Sequence, residues 1–131
     1  MTLPNYFIQS LQNCNGFDEP AFKQVHESGQ QIVSIRINPF KFDIQHCTFD
    51  LNGAVPWCSN GYYLKQRPSF TLDPLFHAGA YYVQEASSMF LEEAIRQSCD
   101  LTQPLRVLDL CAAPGGKSTL IQSIISEESL L

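Results

Sequence analysis

The sequence predicts an α+β module followed by the opening of a doubly wound α/β domain. Three observations carry that expectation. Helix-period and strand-period patterns share residues 1–66. A short apolar run, LRVLDL at 105–110, has the length and character of a strand buried on both faces. That run passes directly into CAAPGG and then a helical pattern, a strand–glycine loop–helix unit.

Each element has a local reason. Residues 4–12, PNYFIQSLQ, put Pro4 in a first turn and Phe7, Ile8 and Leu11 on one helical face. Asp18 ahead of Glu19 and Pro20 marks a second helix start, expected to run to about Glu27 and stop before Gly29. QIVSIRI, residues 31–37, alternates as a strand does, and Asn38-Pro39 ends it because Pro has no amide to donate. Residues 54–65 read as two short strands joined at Ser59-Asn60-Gly61, where Asn-Gly supplies the positive φ of a tight turn. Pro68, Pro74 and Gly79 make 67–79 an irregular connection, and Tyr81 to Val83 reads as a short strand. Ser87 to Ser98 reads as a helix with Met89, Phe90, Ala94 and Ile95 inward. After the LRVLDL strand, Lys117 to about Ser126 reads as a helix with Leu120, Ile121, Ile124 and Ile125 inward.

These elements divide the chain into 1–66, helices plus a small sheet; 67–103, a connection and bridging helix; and 104–131, a first βα unit. One strand and one helix cannot complete a parallel sheet, so the last unit is expected to be truncated.

Composition narrows the function classes. The chain has 131 residues, 44% hydrophobic and 16% charged, which suits a packed core and excludes a disordered tail. Eight Lys and Arg against 13 Asp and Glu leave a formal charge of -5, which argues against nucleic-acid binding by charge alone. Locally the balance reverses. Residues 36–67 carry Arg36, Lys41, Lys65 and Arg67 against Asp43 and Asp50, a net +2 from 4 minus 2. Trp57, Tyr62 and Tyr63 lie in that window and suit base stacking. The window reads equally as a solvated charged face over a core of aromatics.

No apolar run approaches the ~20 residues of a membrane helix. The start, MTLPNYFIQS, lacks the basic and apolar regions of a signal peptide. Five cysteines, at 14, 47, 58, 99 and 111, are odd in number and show no CxxC spacing. His26, His46 and His77 show no HxxxH or HxH spacing. Neither a disulfide framework nor a metal site is expected, and reduced thiols in a cytoplasmic protein are. Cys14, Cys47, Cys58 and Cys99 are expected to pack as small apolar residues.

The loop is the most informative segment. Gly115 and Gly116 stand between a strand's carboxyl end and a helix start, where backbone amides can meet the polar part of a nucleotide-like ligand. Residues 111–118, C-A-A-P-G-G-K-S, end as a phosphate loop does, but Cys111 stands where GxxxxGK[ST] requires glycine and Pro114 removes an amide. A GxGxxG fingerprint is absent. A glycine-bearing helix entry with no ligand stays open on pattern alone.

VLDLCAAPGGKST, residues 107–119, resembles the cofactor loop of the Sun/Nop-type RNA cytosine-C5 methyltransferases. YYVQEASSM, Tyr81 to Met89, looks like that family's block ahead of the cofactor domain. IRINPFKF, Ile35 to Phe42, is similar to its Arg-x-Asn segment in an N-terminal RNA-binding module. VPWCSNGYYL resembles the hairpin region of the RsmF-like bacterial branch, which methylates 16S ribosomal RNA. The likeness covers nearly the whole chain in family order.

The resemblance implies a Rossmann-like methyltransferase domain beginning at 104 and S-adenosyl-L-methionine as cofactor. It implies that Cys111, Ala112, Ala113, Pro114, Gly115, Gly116 and Lys117 line that cofactor, with Lys117 a candidate for its carboxylate. Asp109 is a candidate to orient the loop or reach the cofactor's amine; its local reading is a capping carboxylate. The implied partner is RNA, 16S ribosomal RNA, with Arg36, Asn38, Lys41, Lys65 and Arg67 as contact candidates. Methylating cytosine C5 requires a thiolate to add at C6, on a base taken out of its stack. In the family that cysteine lies in later Pro-Cys motifs, which these 131 residues lack. Cys111 is therefore expected to be non-catalytic and the chain alone inactive. Gln84 and Glu85 are expected to brace the module against the cofactor unit. The expected function is the N-terminal portion of an rRNA cytosine-C5 methyltransferase. The alternatives are a freestanding RNA-binding or assembly module, and a nucleotide-phosphate binder. Neither a membrane nor a metal is an expected partner.

Overall fold

The computed structural model describes residues 3–131; Met1 and Thr2, the start of the expected 1–66 module, lie outside the described residues. The chain divides into two compact units, Met1–Ile32 and Val33–Leu131. The sequence boundaries at 66 and 104 both fall within the second unit.

The first unit is a helix pair. Helix α1 (Asn5–Leu11) follows Pro4, and Ile8 is buried. Helix α2 (Glu19–Ser28) is capped by Asp18, whose side chain accepts from the Ala21 amide at 3.0 Å, and ends at left-handed Gly29. Phe22 packs its ring against Phe17, with centroids 5.4 Å apart, and against Phe7.

The second unit is built on a four-stranded antiparallel sheet in the order β2-β3-β1-β4. The strands are β1 (Val33–Ile37), β2 (Leu51–Ala54), β3 (Gly61–Leu64) and β4 (Tyr81–Val83). Every residue of β1 is buried, because it lies inside the sheet and both its faces are covered. Alternation sends Val33, Ile35 and Ile37 to one face. There they join Leu64, Ala80 and Tyr81, with Phe42, Ile44, Phe49, Phe70 and Phe76 packed around them. The Tyr81 hydroxyl donates to Asp73 at 2.6 Å. Ser34 and Arg36 point to the other face. A second cluster gathers Val55, Cys58, Ala86, Met89 and Leu120, with Trp57, Tyr63 and Ile124 against it. Helices α3 (Pro74–His77), α4 (Ala86–Met89), α5 (Leu91–Ser98) and α6 (Gly116–Gln122) complete the unit.

The α+β class holds, but four expectations change in detail. The hairpin joins β2 and β3 through residues 55–60, and Asn60-Gly61 is not its two-residue turn. Gly61 opens β3 with no positive φ. Glycine is required there by contact: a Cβ would lie 2.8 Å from Met89 Sδ and 2.9 Å from Val55 Cβ.

The single helix expected over 87–98 breaks into α4 and α5, which resets its phase. Met89 stays fully buried, but Phe90 is 54% exposed, and the inward position passes to Glu92. That carboxylate is matched by donors. Glu92 Oε1 accepts from Ser59 Oγ at 2.6 Å and from Arg96 Nη2 at 2.9 Å.

The LRVLDL run does not form a sheet strand. It makes one parallel bridge, Arg106 to Leu130, with the Val107 amide 2.8 Å from the Leu130 carbonyl. A strand needs a row of partners along its length, and among the described residues this run has a single bridge. Leu108 is 80% exposed and Leu110 85%. Helix α6 is also shorter than expected and ends at Gln122, while Leu120, Ile121 and Ile125 are buried as expected.

The thiols divide. Cys58 is buried, and burial first, with the Glu92 contact second, pushes it up to about 12. Cys47 is half-buried, whereas Cys14 and Cys99 are exposed and do not pack. They lie beyond the clusters that cover the sheet. No helix among the described residues is long and apolar enough to cross a membrane.

Candidate functional site

The loop after the apolar run and the end of β4 enclose a cleft of about 250 Å³. Its walls are residues 111–117 on one side and Tyr82, Val83, Gln84, Glu85 and Ser88 on the other. All seven residues of the expected cofactor loop therefore share one cleft.

The loop's path has local causes. Asp109 Oδ1 accepts from the Cys111 amide at 3.0 Å, and its Oδ2 accepts from Ser118 Oγ at 2.7 Å. One carboxylate thus ties the loop's entrance to its exit. The Ser118 hydroxyl, then the Cys111 amide, hold Asp109 below its ordinary carboxylate range, so it acts as an acceptor. This is the loop-orienting role among those considered for Asp109. The Ala113–Pro114 bond is cis. Gly115 has φ +105°, which an L side chain rarely adopts. Gly116 is glycine for a different reason: a Cβ there would stand 3.1 Å from Tyr82 Cε1. Tyr82 also donates its hydroxyl to the Pro114 carbonyl at 3.2 Å. The amides of Ala112 and Ala113 have no acceptor among the described residues. Cys111 and Lys117 are exposed at the cleft.

Beneath the loop lies the polar face of the sheet. Arg36, expected at an RNA face, is 3% exposed. Its Nε donates to Gln84 Oε1 at 3.0 Å, its Nη2 to Thr119 Oγ1 at 2.6 Å and the Gly116 carbonyl at 3.3 Å, and its Nη1 to the Thr119 carbonyl at 3.4 Å. Gln84 is itself fixed by β1, since Ser34 Oγ donates to its carbonyl at 2.6 Å. Glu85 is exposed at the cleft wall.

The other expected RNA contacts lie apart from this cleft wall. Asn38 shapes the turn after β1, donating to the Gly79 carbonyl at 3.2 Å and accepting from the Phe40 amide at 3.1 Å. Lys41 is exposed, with Nζ 3.0 Å from the Ala78 carbonyl. Lys65 pairs with Asp50 at 2.9 Å, both exposed. The Arg67 guanidinium sits 5.7 Å from the Phe70 ring centroid. Trp57 donates to the Ala86 carbonyl at 2.6 Å, and Tyr62 and Tyr63 pack on opposite faces of the sheet. These aromatics belong mostly to the core. Tyr82, Ser88, Ser118 and Thr119 were not singled out from sequence. A signal existed for two of them, since Ser118 and Thr119 follow Gly-Gly-Lys where a helix's first turn was expected.

Residues 3–86 match the family described as the N-terminal domain of 16S rRNA methyltransferase RsmF. A ribosomal RNA small subunit methyltransferase F of Erwinia tasmaniensis is 42% identical over an alignment covering 90% of this chain and 27% of the relative. The protein of the same name from Shewanella denitrificans is 40% identical across 59% of this chain and 16% of its own length. That from Aeromonas salmonicida is 31% identical across 75% and 22%. The chain thus spans about a quarter or less of the length of these curated relatives. Among solved structures, a methyltransferase homologue from Pyrococcus horikoshii superposes with a TM-score of 0.59 at 24% identity, covering 94% of this chain and 45% of that one. This likeness extends to the fold.

Proposed function

The chain belongs to the family of the N-terminal domain of 16S rRNA methyltransferase RsmF, and from that membership we propose that it carries the RNA-recognition part and the cofactor loop of an S-adenosyl-L-methionine-dependent rRNA cytosine-C5 methyltransferase. The observation that carries this reading is the cleft. Seven consecutive loop residues line it, and Gly115 and Gly116 keep its floor free of side chains.

The residues fit such a cofactor. Backbone amides at Ala112 and Ala113 that meet no acceptor among the described residues, an exposed cation at Lys117 and a glycine floor match its polar methionine end. Cys111 to Lys117 would hold it, and Lys117 would meet its carboxylate. When bound, the cofactor supplies an electrophilic methyl group. Asp109 keeps the loop in register, and Tyr82 closes the cleft's wall. RNA recognition belongs in this reading to the N-terminal domain matched over 3–86, whose sheet takes β4 from beyond residue 66, and 104–131 begin a Rossmann-like domain. RNA, in this reading 16S ribosomal RNA, contacts the exposed cations Lys41, Lys65 and Arg67, with Asn38 shaping the turn that carries Lys41, while Arg36 is buried beneath α6 and takes no part. The thiolate that adds to cytosine C6 is not Cys111, and the chain by itself does not transfer a methyl group. The protein works in the cytoplasm, the compartment in which its bacterial relatives would meet ribosomal RNA.

Isothermal titration of the 131-residue chain with S-adenosyl-L-methionine and, separately, with ATP tests the reading. Saturable binding of the former and none of the latter is expected. Binding of ATP alone would overturn it. Methyl transfer to ribosomal RNA by the isolated chain would refute the expectation of inactivity.

A further inference from the structure

We propose that Arg36 is a positioning residue: from the sheet it sets the path of the glycine loop and so the affinity of the cleft for its cofactor. The cofactor clause rests on the function proposed above; the positioning clause does not. Three facts lead here. Arg36 is almost fully buried, yet among the described residues its hydrogen bonds go to no carboxylate. A buried cation without an ion partner is costly unless its donors are all matched in good geometry. Its acceptors are therefore held where the planar fork needs them. Three of those acceptors, the Gly116 carbonyl, the Thr119 carbonyl and Thr119 Oγ1, belong to the first turn of α6, directly after the loop.

The fourth acceptor completes the link. Gln84 lines the cleft, is clamped to β1 through Ser34, and holds Arg36 Nε. Two residues before it, on β4, Tyr82 lies against Gly116 and donates to the Pro114 carbonyl. The cleft's two walls are thus joined beneath by one guanidinium. Thr119 Oγ1 adds direction. Its hydroxyl lies 2.8 Å from the Gly115 carbonyl while Arg36 approaches the same oxygen at 2.6 Å. The chain of contacts runs from β1 through Thr119 to the residue whose positive φ turns the loop. A lysine in place of Arg36 carries the charge but cannot present four donors in a plane.

The test uses the folded chain with Arg36→Lys, Thr119→Val and Thr119→Ser, each checked by circular dichroism. The amide resonances of Gly115, Gly116 and Lys117 are read by NMR without ligand. Arg36→Lys and Thr119→Val should shift or broaden them while the methyl resonances of Val33 and Leu64 on the other face stay in place, and Thr119→Ser should restore them. Affinity for S-adenosyl-L-methionine should fall about tenfold in Arg36→Lys, the equivalent of one charge-assisted hydrogen bond. Thr119→Val should fall in the same direction, and the double variant should be no weaker than Arg36→Lys alone. Unchanged loop amides in folded Arg36→Lys and Thr119→Val would overturn the positioning role. Shifted amides with no cofactor binding even by the parent chain would leave positioning standing and defeat the function proposed above. Should Arg36→Lys fail to fold, the Thr119 pair decides alone: valine and serine variants with identical loop resonances would refute the proposal.

Discussion

The two faces of the central sheet are held by different physics. On one face Val33, Ile35 and Ile37 meet Leu64, Ala80, Tyr81 and a ring of half-buried aromatics. Attraction there is non-directional and scales with apolar area. On the other face Ser34, Arg36 and Gln84 sit beneath the glycine loop and α6, each with a named partner. Attraction there is directional, and an unmatched donor costs more than a matched one gains. The first face is held mainly by apolar contact; on the second an apolar cluster that includes Leu120 packs α6 down, and the polar groups determine where the loop lies. The same strand does both because alternate residues of β1 point in opposite directions.

Truncation on the apolar face should be the most damaging. Ile35→Ala removes a fully buried side chain from the sheet's centre and should cost about 2–5 kcal/mol by urea unfolding. Its loop resonances should stay in place in whatever fraction remains folded. A loop disturbed as strongly as in Arg36→Lys would erase the distinction between the faces.

Gly61→Ala should come next, at about 1–3 kcal/mol, because its new Cβ meets Val55 Cβ and Met89 Sδ under 3 Å. Gly61 is directly opposite Arg36. Loss of stability with a shift of Met89 resonances is the expected pair of readings. A neutral or stabilised variant would mean that this face is loosely packed.

The smallest effect is electrostatic. Burial alone would raise Glu92, but hydrogen bonds from Ser59, Cys58 and Arg96 outweigh it and hold the group below its ordinary value of 4.5. A carboxylate lowered by folding stabilises the fold above its unfolded value, and that contribution disappears as pH falls through its folded value. Stability should therefore decline with acidification below 4.5. Glu92→Gln should cost about 1 kcal/mol at pH 7 and flatten that decline. A parallel pH profile in the variant would remove Glu92 from the polar side's account.

Much of the local structure was legible in the sequence. The Asp18 cap, the stop at Gly29, the β1 alternation and the buried Leu120 and Ile121 are written in neighbouring residues, and short-range rules suffice for them. The loop's place ahead of α6 was legible as well, since Gly115 and Gly116 with Lys117 form a contiguous motif. Three features were not. LRVLDL has the composition of a strand, but a strand requires partners, and composition does not supply them. Gly61 looked like a turn glycine, whereas its reason is the approach of Met89 from 28 positions away. Arg36 looked like a cation for RNA, because charge on a strand says nothing about which face of the sheet is covered.

The two ends of α2, the alternation of β1 and the glycine loop follow from neighbouring residues, because each depends on contacts within a short stretch of chain. The burial of Arg36 under α6, the inward turn of Glu92 and the closure of the loop against Tyr82 came from the folded arrangement. Those outcomes depend on pairings across tens of residues, where a hydrogen-bond donor's worth is set by whichever acceptor the fold brings to it.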